Sequence, residues 1–431
     1  MLFIGYLYFL KQIDSIIKLS INNKNIIMNN SNSIHIDNLH SQSKLFSPSV
    51  INKAAVSITL LFIFLVPWAD SIWDGLPRLV ATAAIGLSVL QLFVHGSHQK
   101  YTVYHLSVAA YFSWQLLSMI WSPDLHRSEI VAKTTIQLLL LITLFSLVID
   151  NKARLIAAYQ TYVFASIAAS GIVLKNYING IESGYLRYGI QNLTIDAVGV
   201  FLALAIPFAA YLAKYSTNKS IRIINLLAIP FITYGIFLTA TRTAFVAAIF
   251  GFMYWVYTQR KASLKIKAVI LVFLTGAFVA VIAVTPTSSI ERIFSTGESI
   301  SKGTLNNRSI IWEGSFSQWK ESPIIGVGLG GLGHALNRER VNYDAAHNSF
   351  IHIMTENGII GLTLFLFVHL SILYLITLTP NNEKAFLLSL LLIIIVSQLA
   401  THLQTEKIMW FVYTVLAIHA RLYAKNNKKI G

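Results

Sequence analysis

Apolar residues in this chain neither alternate nor form a single stripe. They run together for about twenty residues at a time, the length that crosses a bilayer core. Such runs recur from residue 53 to residue 423, separated by short polar connections. They predict about twelve transmembrane helices, roughly 53–69, 76–94, 103–121, 130–149, 154–174, 197–214, 222–239, 243–257, 266–285, 357–378, 385–401 and 407–423. The fold class is therefore all-α and polytopic, because a helix satisfies its own backbone polar groups where no water is present. Three stretches fall outside the pattern. Residues 1–52 open on an apolar run too short to span and continue through an Asn/Ser-rich segment, Ile21 to Ser47. They read as a disordered cytoplasmic tail with no cleavage site, and Met28 offers an alternative start. Residues 286–350 form one long polar loop between spans nine and ten, and 424–431 a short basic tail.

Charge fixes the expected orientation. Only 12% of the 431 residues are charged and 55% are hydrophobic, about half the charge fraction of a soluble domain. A net charge of +15 would suggest nucleic acid in a soluble protein. Here the basic residues concentrate in alternate connections: Lys100; Lys152 and Arg154; Lys214, Lys219 and Arg222; Arg260, Lys261, Lys265 and Lys267; Lys384; and the tail from Arg421. The intervening connections are sparser and more acidic, as at Asp70 and Asp74 or Asp124 and Glu129. The bias places both termini in the cytoplasm and Pro286–Phe350 outside, with membrane lipid rather than nucleic acid as the partner. With no cysteine, disulfide and thiol chemistry are excluded. No Asp or Glu falls inside a predicted span, which argues against an ion-coupled transporter and leaves an uncoupled flippase open.

The outward connections collect the candidate chemistry. Arg187 lies in Tyr185-Leu-Arg-Tyr-Gly189, and Arg242 in the very short turn Thr239-Ala-Thr-Arg-Thr243. Arg308 lies in Asn306-Asn-Arg-Ser-Ile-Ile-Trp312, and His347 and Asn348 just before the tenth span. Arg242 has little loop in which to reach water, so it either points into a protein-lined cavity or bonds headgroups or backbone carbonyls. In a cavity its planar fork matches phosphate oxygens. His347 titrates near neutrality and is the candidate for proton transfer, against the plainer role of a structural hydrogen-bonder. His352 and Glu356 follow Asn348 at helical spacing, too thin a set for a metal, and read as polar contacts near the membrane surface. Gly326-Val-Gly-Leu-Gly-Gly-Leu-Gly333 lacks the strand and helix of a dinucleotide site, so its glycines serve a tight turn or a close backbone approach to a ligand. Ile311, Trp312, Phe316 and Trp319 recur at three- and four-residue spacing, which predicts an amphipathic helix at the bilayer surface or packed on the bundle.

Taken in order, Thr239-Ala-Thr-Arg-Thr-Ala244, Asn307-Arg-Ser-Ile-Ile-Trp-Glu313, Ser322-Pro-Ile-Ile-Gly-Val-Gly328, His347-Asn-Ser-Phe350 and Glu356-Asn-Gly-Ile-Ile-Gly361 resemble the O-antigen ligase and O-antigen polymerase superfamily. Trp121-Ser-Pro-Asp124 is similar to that family as well. The resemblance implies a type C-like membrane glycosyltransferase that is metal-independent, inverting and without a cofactor, in the bacterial inner membrane. Its site would be periplasmic. The donor it implies is an undecaprenyl-pyrophosphate-linked glycan. The acceptor is the lipid A core for a ligase, or a second lipid-linked repeat unit for a polymerase. Other polysaccharide-assembly proteins are further expected partners. The family's arginines match Arg187, Arg242 and Arg308, which would hold the pyrophosphate, and its histidine matches His347, which would activate the acceptor. Asn348 and Trp312 complete the expected substrate-binding set. Asp196 stands where many relatives carry an Asn-containing turn.

Overall fold

The computed structural model describes residues 48–69, 73, 75–95, 101–184, 187–191, 193–261, 263, 276, 287, 308–338 and 345–424. The helices are α1 (Pro48–Leu65), α2 (Leu76–His95), α3 (Val103–Ser118), α4 (Leu125–Val148), α5 (Lys152–Ile178), α6 (Ile195–Tyr215), α7 (Lys219–Thr239) and α8 (Arg242–Thr258). Then follow α9 (Arg308–Glu321), α10 (Leu332–Arg338), α11 (Ser349–Thr377), α12 (Asn381–Gln398) and α13 (Lys407–Tyr423), with a 3-10 turn, Met119–Trp121, after α3. Seven of them (α2, α4, α5, α6, α7, α11 and α12) are long and apolar enough to cross a membrane. α1, α3, α8 and α13 are shorter helices at predicted spans. The ninth predicted span, 266–285, most of the tail 1–52, most of the C-terminal tail and the first part of the 286–350 loop lie outside the described residues.

Two helices form the centre. α6 is buried at every position from Ala197 to Ala213, and α13 from Met409 to Ala420. Neither meets lipid, so each tolerates side chains that a lipid-facing helix excludes, such as His419 in α13. Small residues let α7 and α8 approach α6. A Cβ on Gly199 of α6 would stand 2.7 Å from the Ala244 Cβ and 3.2 Å from the Thr241 Cβ. That contact, typical of small-residue packing in membranes, seats the α7–α8 turn against the start of α6.

α11 is broken. Gly358 has φ 66° and ψ −167°, outside any helical region. The carbonyls this break frees at Thr355 and Glu356 accept from Val327 N (2.9 Å) and Gly328 N (2.8 Å), and that of Asn357 accepts from Trp114 Nε1 (2.9 Å). Beyond the break, Ile359 N and Ile360 N donate to Pro323 O and Ile324 O. The glycine-rich segment therefore makes its close approach to protein backbone, at the break in α11, and the tight-turn reading holds beside it. Gly326 (φ 75°) is needed for the same reason, since a Cβ there would overlap the backbone of Glu356.

One sequence expectation is corrected. Asp196, Glu356 and Glu383 all lie inside helices that qualify as spans, because α6, α11 and α12 begin earlier than the apolar runs do. Asp196 and Glu383 sit in the first turns of their helices, where the helix dipole favours them, whereas Glu356 lies two turns into α11. The argument against a transporter drawn from missing intramembrane carboxylates does not stand.

Candidate functional site

The connections α3–α4, α5–α6, α7–α8 and α12–α13, with α9, α10 and the start of α11, gather at one end of the bundle. The basic residues Lys152, Lys214, Arg260 and Lys261 gather at the other. There Lys152 Nζ lies 4.1 Å from the centre of the Tyr423 ring, and Lys214 lies within electrostatic range of Arg260, Lys261 and Glu383.

The α7–α8 turn is built around two threonines and an alanine in the left-handed region (Ala240, φ 47°). Thr241 is the N-cap of α8 but makes no capping bond. Its hydroxyl accepts from Arg187 Nη2 (2.8 Å) and donates to Thr239 O (3.3 Å) instead. The first turn of α8 thus keeps its amides free of a side-chain cap, and it contains no acidic residue. Arg242 is the first residue of that helix. A cation placed at the positive end of a helix is unfavourable without an anion, and the same holds for Arg308, the first residue of α9.

Arg187 closes the turn from outside. Besides Thr241, it donates from Nε to Thr239 O (3.0 Å) and from Nη2 to Asp196 Oδ1 (2.7 Å). Tyr188 N donates to Leu238 O (3.1 Å), so the loop that carries Arg187 is pinned to the end of α7. Asp196 also lies within electrostatic range of Arg308 and of His347. It is the carboxylate that Arg187, Arg308 and His347 share. Burial, and next the nearby Arg242, lower the proton affinity of Arg308, while Asp196 opposes them. Guanidinium stays charged regardless.

His347 lies where α9 and α11 meet. Its backbone is in the left-handed region, φ 49°, an uncommon conformation for a residue with a side chain. Ala240 and His347 are the only non-glycine residues with positive φ among the described residues, and both belong to this site. Trp312 Nε1 donates to Ala346 O (2.8 Å) on one side of His347. On the other, Asn348 caps α11 through Phe350 N (2.9 Å) and Ile351 N (3.1 Å) and donates to Leu399 O (3.0 Å). Trp312 and Asn348, expected on substrate, are thus placed with their polar groups committed to holding His347. The imidazole is half-buried. Burial foremost, then Arg308, keeps its pKa below the ordinary value, with His352 adding and Asp196 opposing. A neutral ring at pH 7 follows, free to accept a proton.

α9 packs through Ile311, Gly314, Ser315 and Gln318, and leaves Phe316 exposed. Ile311, Leu332, Leu336 and Ala346 form a small core with Ile351 that fixes α9 and α10 over the start of α11. A very small apolar void is lined by Ala197, Val200, Leu204, Ile394, Leu403 and Met409, and Glu406 borders it. Burial raises the Glu406 carboxyl above its usual range.

The structure therefore brings Arg187, Arg242, Arg308 and His347 to one place. It adds residues that the sequence reading passed over as site members: Asp196, Thr241, His352 and His402. The run Thr239-Ala-Thr-Arg-Thr243 was the one available signal for Thr241; nothing local marks His402. Among the described residues no cluster of three His, Asp or Glu side chains is arranged to hold a metal.

No curated protein matches the chain. Residues 226–366 match the family model described as O-antigen ligase. That stretch runs from within α7 to within α11 and contains Arg242, Arg308, Trp312, His347 and Asn348, whereas Arg187 lies before it. Over residues 226–366 the chain is therefore similar to the O-antigen ligase family.

Proposed function

We propose that this protein is an inner-membrane glycosyltransferase that moves a glycan from undecaprenyl pyrophosphate to an acceptor on the periplasmic face, in the manner of an O-antigen ligase with lipid A core as acceptor. The observation that carries this reading is the convergence of Arg187, Arg242 and Arg308 with a neutral His347 at one end of a membrane bundle. As the sugar C1–O bond breaks, negative charge develops on the pyrophosphate. Arg242, at a helix start without a side-chain cap, and Arg308, at the start of α9, stabilise that charge from preset positions. Arg187, spent largely on the turn and Asp196, holds Arg242 in place.

His347 takes the proton of the attacking acceptor hydroxyl, and attack opposite the leaving group inverts C1. No step here needs a metal or a cofactor. The exposed Phe316 and Ile324 suit contact with the bilayer surface. Polymerisation onto a second lipid-linked repeat unit uses the same donor chemistry and is the closest alternative.

The test is glycan transfer by the purified full chain in lipid nanodiscs, with a synthetic lipid-pyrophosphate-linked glycan and either lipid A core or a second lipid-linked glycan. Arg242→Ala and His347→Ala should each remove product by roughly a hundredfold or more. Near-normal transfer by both variants would sink the proposed site. A lipid-linked glycan flippase is the second reading. It gains from Glu356 and Glu383, two buried carboxylates each paired with a histidine. Movement of labelled donor across vesicles without a new glycosidic bond would favour it.

A further inference from the structure

One side chain on the outer surface of the bundle is out of place in lipid. Gln137 lies midway along the spanning helix α4, well inside the apolar run 130–149, and is exposed. Among the described residues it has no hydrogen-bond partner. The other polar side chains of that helix are answered. Thr134 Oγ1 donates to Ile130 O (3.0 Å) and Thr143 Oγ1 to Leu139 O (2.9 Å), each within its own helix. Lys133 Nζ pairs with Glu129 Oε2 at 3.6 Å, one turn nearer the start of α4. A primary amide carries two donors and an acceptor oxygen, and the hydrocarbon layer offers no water to meet them.

Its neighbours on that face form a pattern. Ile130, Lys133, Gln137 and Leu140 are all exposed and follow one another at spacings of three, four and three residues. That is the a–d repeat by which two helices pack along a seam, with Gln137 at an a position. A single polar residue at an a position selects the register and the number of chains. Within the chain α4 packs on α2, α3 and α13, with Leu138 and Leu141 buried and the Phe145 ring edge-on to Phe411 of α13. The seam is left over.

We propose that this seam is the contact between two copies of the chain, with Gln137 bonded to the same residue of the second copy across a twofold axis normal to the membrane. The occupant follows from the chemistry. A bilayer fixes the orientation of its proteins, so two copies meet in parallel and each residue faces its counterpart at equal depth. A twofold contact must be self-complementary. An amide is its own complement, because the carbonyl of each accepts from the NH2 of the other, and Gln side chains bond between membrane helices in this way. Glu129 and Lys133, opposite in sign one turn apart, add no net charge to the seam. Lipid leaves the amide unmet, and an unrelated helix would have to supply both a donor and an acceptor at that depth. The proposal stands apart from the glycan-transfer reading, since none of Arg187, Arg242, Arg308 and His347 belongs to α4.

The experiment uses the full-length protein in liposomes. The chain has no cysteine, so one introduced thiol reports by itself. On oxidation Gln137→Cys and Leu140→Cys should each give a crosslinked species of twice the chain's mass, and Leu370→Cys, at an exposed position of α11, should give little. Gln137→Leu turns an apolar side chain toward lipid and leaves the buried positions of α4 intact, so it should fold. Its labelled copies should associate about threefold or more weakly than wild type when energy transfer is followed as lipid is added. Gln137→Asn, which keeps an amide, should recover part of that loss. The proposal is overturned if the two α4 thiols crosslink no better than Leu370→Cys, the result expected where lipid or another part of the chain covers this face. Association that is unchanged in Gln137→Leu overturns it as well.

Discussion

Asp196 carries the most weight per atom in this site. It takes the short bond from Arg187, and it faces both Arg308 and His347. Removing its charge in Asp196→Asn loosens the Arg187 brace, so transfer should fall by roughly tenfold or more. The same change removes the group that supports a proton on His347. The His347 midpoint should then fall, and with it the acid limb of the rate profile. In the wild-type protein the base must be unprotonated. Transfer is therefore lost as pH falls through the depressed His347 pKa, and the half-loss point should lie below the ordinary histidine value of about 6.5. A pH–kcat series on the two proteins checks both statements, and a half-loss point above that value would count against His347. Arg242→Lys is the complementary change: it keeps the charge and loses the planar fork. It should recover little of the activity lost in Arg242→Ala if phosphate oxygens are the partner.

At the scale of elements, the site depends on helix ends and on one helix break. Asn348 is the cap of α11 and its tie to the α12–α13 connection. Asn348→Ala should cost about 1 kcal/mol for the cap alone, and more where the Leu399 carbonyl is left without its donor. Unfolding of the purified protein in detergent would read this as a lowered midpoint. Gly358→Ala is predicted to be worse. Its φ of 66° disfavours any side chain, and a Cβ would overlap the Ile324 carbonyl, so a loss of about 2 kcal/mol or more is expected. A Gly358→Ala protein as stable as wild type would mean that the break in α11 is not imposed by the glycine-rich segment. Caps also show a limit of local reading. Thr241 looks like an ordinary N-cap, yet its hydroxyl is turned to Arg187, and only that diversion leaves the start of α8 uncapped.

At the scale of the whole molecule, the separation of charge between the two ends predicts which one faces out. The chain has no cysteine, so single cysteines report accessibility without background. Lys320→Cys in α9 should react with a membrane-impermeant maleimide in intact spheroplasts, and Lys261→Cys beyond α8 only after permeabilisation. The reverse result would invert the topology and move the site to the cytoplasm. A deletion strain then separates the two acceptors. Lipid-linked chains that accumulate while the lipid A core stays bare indicate a ligase; a core capped by one repeat unit indicates a polymerase.

What the sequence determined on its own follows from short-range physics. Runs of about twenty apolar residues cross a bilayer as helices whatever their neighbours are, and loop charge orients them. Membrane class and helix-rich architecture were therefore legible from the chain. Helix starts were less so, because apolarity marks where lipid begins rather than where hydrogen bonding begins. That is why Glu356 and Glu383 were read outside their helices. The tertiary structure alone decided which polar groups meet. His352 and His402 stand fifty residues apart in sequence, Arg187 and Thr241 fifty-four, and Gly326 lies against Glu356. No periodicity encodes such contacts, since they exist only once the helices have packed and brought distant connections to the same end of the bundle.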